Sequence, residues 1–209
     1  MGQIKNIIFD LGGVIINLDI PKTISEFNKL SNQPFESIYN QLQQTPVFDL
    51  FDKGQITEKD FFVELKKALR NDVTDEELLF AWNAMLLDFP KHRLELLSKL
   101  KPNYRLFLLS NTNESHVLEF EKTLFASHGY KNLEPFFEKV YYSCRMNQRK
   151  PNADIFESVL NENNLIAEQT LFIDDSPQHV EGALTLGVKA MLLEKNNEVE
   201  DLLKELKLI

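Results

Sequence analysis

The sequence predicts an α/β fold, a doubly wound parallel sheet carrying an inserted helical subdomain. Three observations predict it. Short β-prone apolar runs recur without sustained polar alternation, as in strands covered on both faces; helical patterns separate them; and one long early stretch has helical spacing but no convincing strand.

The first run, Ile4 to Phe9, stops abruptly at Asp10 and two glycines, Gly12 and Gly13. From Pro21 to Phe89 apolar residues fall at three and four spacing, and two helix starts are marked by Thr57 with Asp60 and by Thr74 with Glu77, both resembling capping boxes. Further runs are Tyr104 to Leu109, Leu171 to Ile173 and Val188 to Leu193, with a weaker one at Lys139 to Tyr142. The expected organisation is a core of residues 1–18 and 90–209 with a helical cap at 19–89. A calcium loop beginning at Asp49 fails on chemistry, because the third and fifth positions, which must offer oxygen, are Phe51 and Lys53.

Composition narrows the function. The 209 residues are 43% hydrophobic and 26% charged, with sixteen Phe, enough for a packed core that needs no disulfide. The net charge of -9, with no basic run to offset it, argues against nucleic-acid partners. It leaves room for a small anionic substrate, because a metal or helix N-terminus acts locally where diffuse surface charge is screened. Cys144 is the lone cysteine, the apolar run at MGQIKNIIFDLGG is short for a signal peptide, and no stretch has membrane-spanning length, so the expectation is a cytoplasmic protein without membrane association.

In such sheets ligands sit beyond the carboxyl ends of the strands, so Asp10, Ser110 and Asp174 should converge on one crevice. In LFLLSNTN, Ser110 is followed by Asn111, Thr112 and Asn113 at the opening of a helix from about Glu114, where hydroxyls and free amides form an anion site or simply cap the helix. In RKPNADIF, Pro151 favours an extended Lys150 next to Arg149 and then an early helical position for itself, which fixes a cation near a helix start. TLFIDDSP sets Asp174 and Asp175 side by side, and with Asp10 nearby these acids repel unless a cation sits among them. Hard oxygen ligands of this kind suit magnesium.

These four fragments, in this order along the whole chain, resemble the four motifs of the haloacid dehalogenase superfamily. The resemblance implies a phosphatase in which Asp10 is the nucleophile, Ser110 holds the transferring phosphoryl group and Lys150 neutralises charge on both. It further implies Mg2+ held by Asp10, the carbonyl of Gly12 and Asp175, with Asp174 beside it. FDLGGVI, LSNTN with His116 just beyond, and RKP look most like bacterial sugar-phosphate phosphatases acting on glucose 1-phosphate. The expected partner is therefore a small phosphorylated metabolite, with Asn111, Thr112, Asn113, His116 and Arg149 as phosphate or substrate contacts.

One position departs from the pattern. Phosphatases of the superfamily usually carry a second aspartate two residues after the nucleophile, and here that residue is Gly12. A general acid or base typically contributes about 10² to 10⁴ in rate. Either the leaving group is good enough to do without, or another residue substitutes, with Asp19 and His116 as the nearest options. The rivals are a metal-independent 2-haloacid dehalogenase, against which the Asp174 and Asp175 pair argues, and a catalytically weak phosphate-binding or regulatory protein.

Overall fold

The structure, a computed structural model, describes residues 3–37, 46–70 and 72–209. Five parallel strands form one sheet in the order β3-β2-β1-β4-β5. They are β1 (Asn6–Phe9), β2 (Arg105–Ser110), β3 (Lys139–Tyr142), β4 (Thr170–Asp174) and β5 (Lys189–Leu192). The register pairs Phe9 with Leu108 on one side and Ile173 on the other, so Asp10, Ser110 and Asp174 emerge at the same edge.

Both faces of the sheet are covered, which explains why the strands read as continuous apolar runs. Ile7, Phe9, Leu106, Leu108, Leu171 and Ile173 point into one cluster, and Ile8, Phe107, Leu109 and Phe172 into another. The first face is covered by α5 (Lys91–Leu100), α6 (Glu114–His128) and α10 (Val199–Glu205), the second by α8 (Ala153–Glu162) and α9 (Pro177–Leu184).

The segment between β1 and α5 contributes α1 (Ile20–Lys29), α2 (Val47–Asp52), α3 (Glu58–Lys66) and α4 (Asp75–Asn83). Both expected capping boxes form, with Thr57 and Asp60, and Thr74 and Glu77, satisfying each other's backbone amides. These helices bury their own apolar cluster, drawn from residues between Phe27 and Trp82. At its centre Phe61 stacks on Phe51 at 4.2 Å and meets Trp82 edge-on at 4.9 Å.

Two extended chain passes join this helical unit to the sheet. Leu87 N donates to Asn17 O, Asn17 N to Asp88 O and Asp19 N to Met85 O, a short antiparallel ladder where the chain leaves and returns.

One local expectation differs. Lys150 lies beyond β3, with α7 (Ser143–Met146) and a loop between them. Pro151 lies outside the helix it was expected to open; Asn152 is the N-cap of α8, and the Lys150–Pro151 peptide is cis. The compact turn at α7 brings the lysine back under the sheet edge.

Candidate active site

Strand β1 delivers Asp10 to the sheet edge, and its backbone amide remains in the sheet, donating to Ile173 O at 2.9 Å. Directly beneath, Lys150 is fully buried. Its Nζ donates to Asp10 Oδ1 at 2.7 Å, Asp174 Oδ2 at 2.6 Å and Leu109 O at 2.9 Å, so all three ammonium protons have acceptors. Burial alone would depress the lysine's proton affinity, but the carboxylates of Asp10 and Asp174 outweigh it and hold the ammonium form.

The backbone of Lys150 is fixed as firmly as its head. The Asn111 side chain donates from Nδ2 to Lys150 O and accepts Lys150 N–H at Oδ1, both at 2.9 Å. The amide side chain expected at the phosphate is thus committed to orienting the lysine.

Asp10, Asp174 and Asp175 each present an oxygen within 4.8 Å of the others. Burial raises the Asp10 carboxyl to about 6, with Lys150 opposing and Asp174 adding repulsion; burial and Asp174 also raise Asp175. Asp174 moves the other way, because Lys150 and His179 overcome its burial. Its Oδ1 accepts from Ser176 N at 2.8 Å and His179 Nδ1 at 3.0 Å, while Oδ2 receives Lys150. Two neighbouring carboxyls held above their ordinary range, in a hard all-oxygen cluster, fit a divalent cation that would relieve the repulsion.

The turn after Asp10 leaves room for this cluster. Gly13 has φ +68°, and a Cβ there would lie 2.5 Å from Asp175 Oδ2. Gly12 is closed for a different reason, since its Cβ would meet Leu18 Cδ1 at 2.8 Å. Lys150 occupies Asp10 Oδ1, and Oδ2 lies on the Gly12 side, 3.9 Å from where that Cβ would be.

Above the carboxylates lies a cavity of about 280 Å³, whose wall includes Asp10, Ser110, Thr112, Asp175, Trp82 and Asp52. Ser110 and Thr112 are buried in it. Asn113 caps α6, accepting His116 N–H at 3.1 Å, so the capping role read as an alternative for this segment is realised here. His116 stacks on Trp82 at 5.0 Å; its Nε2 donates to Trp82 O at 3.2 Å and its Nδ1 accepts from Asn113 at 3.4 Å. Burial lowers its pKa to about 4, so it is a neutral ring with both nitrogens engaged. Arg149 points to the helical unit, with Nη1 3.1 Å from Asp49 Oδ1 and Nη2 3.6 Å from Asp52 Oδ2.

Residues 7–193 match the model of the haloacid dehalogenase-like hydrolase family. The chain belongs to this family. Among curated relatives, the D-ribitol-5-phosphate phosphatase of Bacteroides thetaiotaomicron is 30% identical over 185 residues, covering 88% of this chain and 89% of the relative. A solved enzyme of the haloacid dehalogenase family from the same organism superposes with a TM-score of 0.88 at 34% identity, covering 96% of this chain and 98% of that one. That enzyme has also been solved with magnesium and inorganic phosphate, and this chain matches the complex at 35% identity and a TM-score of 0.85, covering 95% and 98%. A haloacid dehalogenase-like hydrolase from Porphyromonas gingivalis matches at 32% identity and a TM-score of 0.85, covering 99% of both chains.

Two residues of the site carry no motif signal of their own. His179 orients Asp174 and comes within 3.5 Å of Asn111 Nδ2 through its other nitrogen. Asp52 reaches the cavity from α2, and its helical unit could have been recognised as cavity-forming but not this acid within it. Asp19, by contrast, caps α1, accepting Lys22 N–H at 3.2 Å, and does not line the cavity.

Proposed function

We propose that this chain is a magnesium-dependent phosphatase of small phosphorylated polyols or sugars, acting through an aspartyl-phosphate on Asp10. The observation that carries the reading is the buried Lys150 ammonium bridging Asp10 and Asp174 next to Asp175. Asp10, Asp175 and the Gly12 carbonyl would hold the metal, with Asp174, whose oxygens are taken by Lys150, Ser176 and His179, acting from behind. When bound, magnesium supplies positive charge at the phosphoryl oxygens.

Asp10 Oδ2 attacks phosphorus, the ester P–O bond breaks with its electron pair passing to the leaving oxygen, and Asp10 carries the phosphoryl group until water removes it. Ser110 and the amides opening α6 orient the phosphoryl oxygens. The cavity of about 280 Å³ suits a metabolite of a few carbons. Glucose 1-phosphate and D-ribitol 5-phosphate, the second named for the Bacteroides relative, are the two substrates to compare.

The test is a panel of phosphorylated metabolites with magnesium, with EDTA, and with Asp10→Asn. Release of phosphate that requires both the metal and Asp10, with a phosphoryl group trapped on the wild-type chain by rapid acid quench, is the expected result. Activity that survives EDTA on a 2-haloacid, or no turnover of any phosphate ester, would overturn it.

A further inference from the structure

The position at which phosphatases of the superfamily usually carry a second aspartate is Gly12 here, and a side chain on it would begin 2.8 Å from Leu18 Cδ1. The leaving oxygen still needs a proton if it belongs to an ordinary alcohol, and the water that later attacks the acyl phosphate must give one up. Only a group facing the same cavity can do both.

Among the described residues, the titratable side chains lining it are Asp10, Asp52, Asp175, His116 and His179. Asp10 is the nucleophile and Asp175 belongs to the cation cluster. His116 has both nitrogens committed, to Trp82 O and Asn113, and His179 has its Nδ1 on Asp174. Asp52 is left.

We propose that Asp52, carried by the helical cap, is the general acid and base of this enzyme, replacing the carboxylate absent at position 12; this rests on the phosphatase reading above. Its placement is built in from the core side. Ser143 Oγ accepts Thr112 N–H at 2.9 Å and donates to Asp52 O at 2.6 Å, so one hydroxyl ties the cap residue to the phosphate-binding turn. The groups facing the carboxyl are Arg149, at 3.6 Å, Asp49 on its own helix and Asn113 at the start of α6. Burial lifts the carboxyl to about 6 against the pull of Arg149, so near neutral pH both protonation states are populated, as a group serving first as acid and then as base requires.

In the first step the Asp52 proton passes to the leaving oxygen as the P–O bond breaks. In the second, Asp52 carboxylate takes a proton from water as the water oxygen bonds phosphorus and the P–O bond to Asp10 breaks. The proton count is restored and nothing else is consumed.

The experiment compares D-ribitol 5-phosphate, whose alcohol leaving group needs the proton, with p-nitrophenyl phosphate, whose phenolate does not. In Asp52→Asn, kcat/KM for the alcohol ester should fall by about 10² to 10⁴ and that for the aryl ester by less than about tenfold. The aryl ester should also give a burst of nitrophenolate of about one per site, because the phosphoenzyme forms and then waits for its missing base. Asp52→Glu should recover part of the alcohol-ester rate, which separates loss of the acid from loss of the fold. Equal losses on both esters without a burst, or no loss on either, would overturn the assignment while leaving the phosphatase reading intact. Whichever alkyl ester of the panel the wild-type chain hydrolyses serves in place of D-ribitol 5-phosphate, and if it hydrolyses no phosphate ester at all the phosphatase reading itself fails.

Discussion

Lys150 Nζ sits 2.7 Å from Asp10 Oδ1, across 140 residues of sequence and with no exposed surface. The contact makes the proposed nucleophile and its counter-charge one buried unit, shared with Asp174 at 2.6 Å. Removing one member of a buried ionic group leaves the others uncompensated, which is costlier than never having had the group.

Lys150→Met should therefore lose both function and stability. The expected drop in kcat/KM is about 10² to 10³, and denaturant unfolding should show a loss on the order of 3 kcal/mol. Lys150→Arg keeps the charge but must fit a planar fork where a compact ammonium meets three acceptors. If arginine restored full activity, charge alone would matter and the geometric account would be wrong.

Gly13→Ala tests the turn. The new methyl would sit 2.5 Å from Asp175 Oδ2 at a residue with φ +68°, so the loop or the carboxylate must move. Magnesium affinity, read by isothermal titration, should weaken by at least about tenfold, equivalent to about 1.4 kcal/mol, with a smaller change in melting temperature. Unchanged affinity would show that Asp175 is not a ligand.

With Asp10 as a metal ligand, as proposed, proton and metal would compete for its carboxylate. Its carboxyl is raised to about 6, so it carries a proton increasingly as pH falls below that value, and the cation must displace it. Apparent magnesium affinity should fall by roughly tenfold per pH unit below about 6 and level off above it. A flat profile between pH 5 and about 7 would contradict the assignment.

Away from the site, Glu198 grips Arg93 with two bonds of 3.0 Å, and Arg93 is buried. The hydrogen bonds from Arg93 hold the Glu198 carboxyl near about 2, below its ordinary 4.5. A depressed folded value means the stabilisation is present above pH 4.5 and is lost as pH falls toward 2. Because Glu198 is 40% exposed, solvent screening limits this to about 1 kcal/mol. Glu198→Gln should lower the melting temperature by roughly 2–4 °C at neutral pH, and its difference from wild type should shrink in acid.

What was legible in the sequence was local. Each strand needed only a run of apolar residues to be covered on both faces, and each capping box only two residues three apart, as at Thr57 and Asp60. Asp10, Ser110 and Asp174 could be placed at one edge because parallel register does so automatically. The roles of neighbours were less accessible. Asn111 and Arg149 both stood where a phosphate contact was expected, yet the first orients Lys150 and the second pairs with Asp49 and Asp52, partners set by tertiary packing. His179 and Asp52 were invisible for the same reason: one depends on a turn of α9 facing Asp174, the other on where α2 docks.

The Trp82 ring packs on His116, joining the helical unit to α6 at the wall of the cavity. It is the chain's single tryptophan. The protein thus has an intrinsic fluorophore in contact with an imidazole at the seam between its two parts. Any change in that contact would be readable in its emission, with no label added.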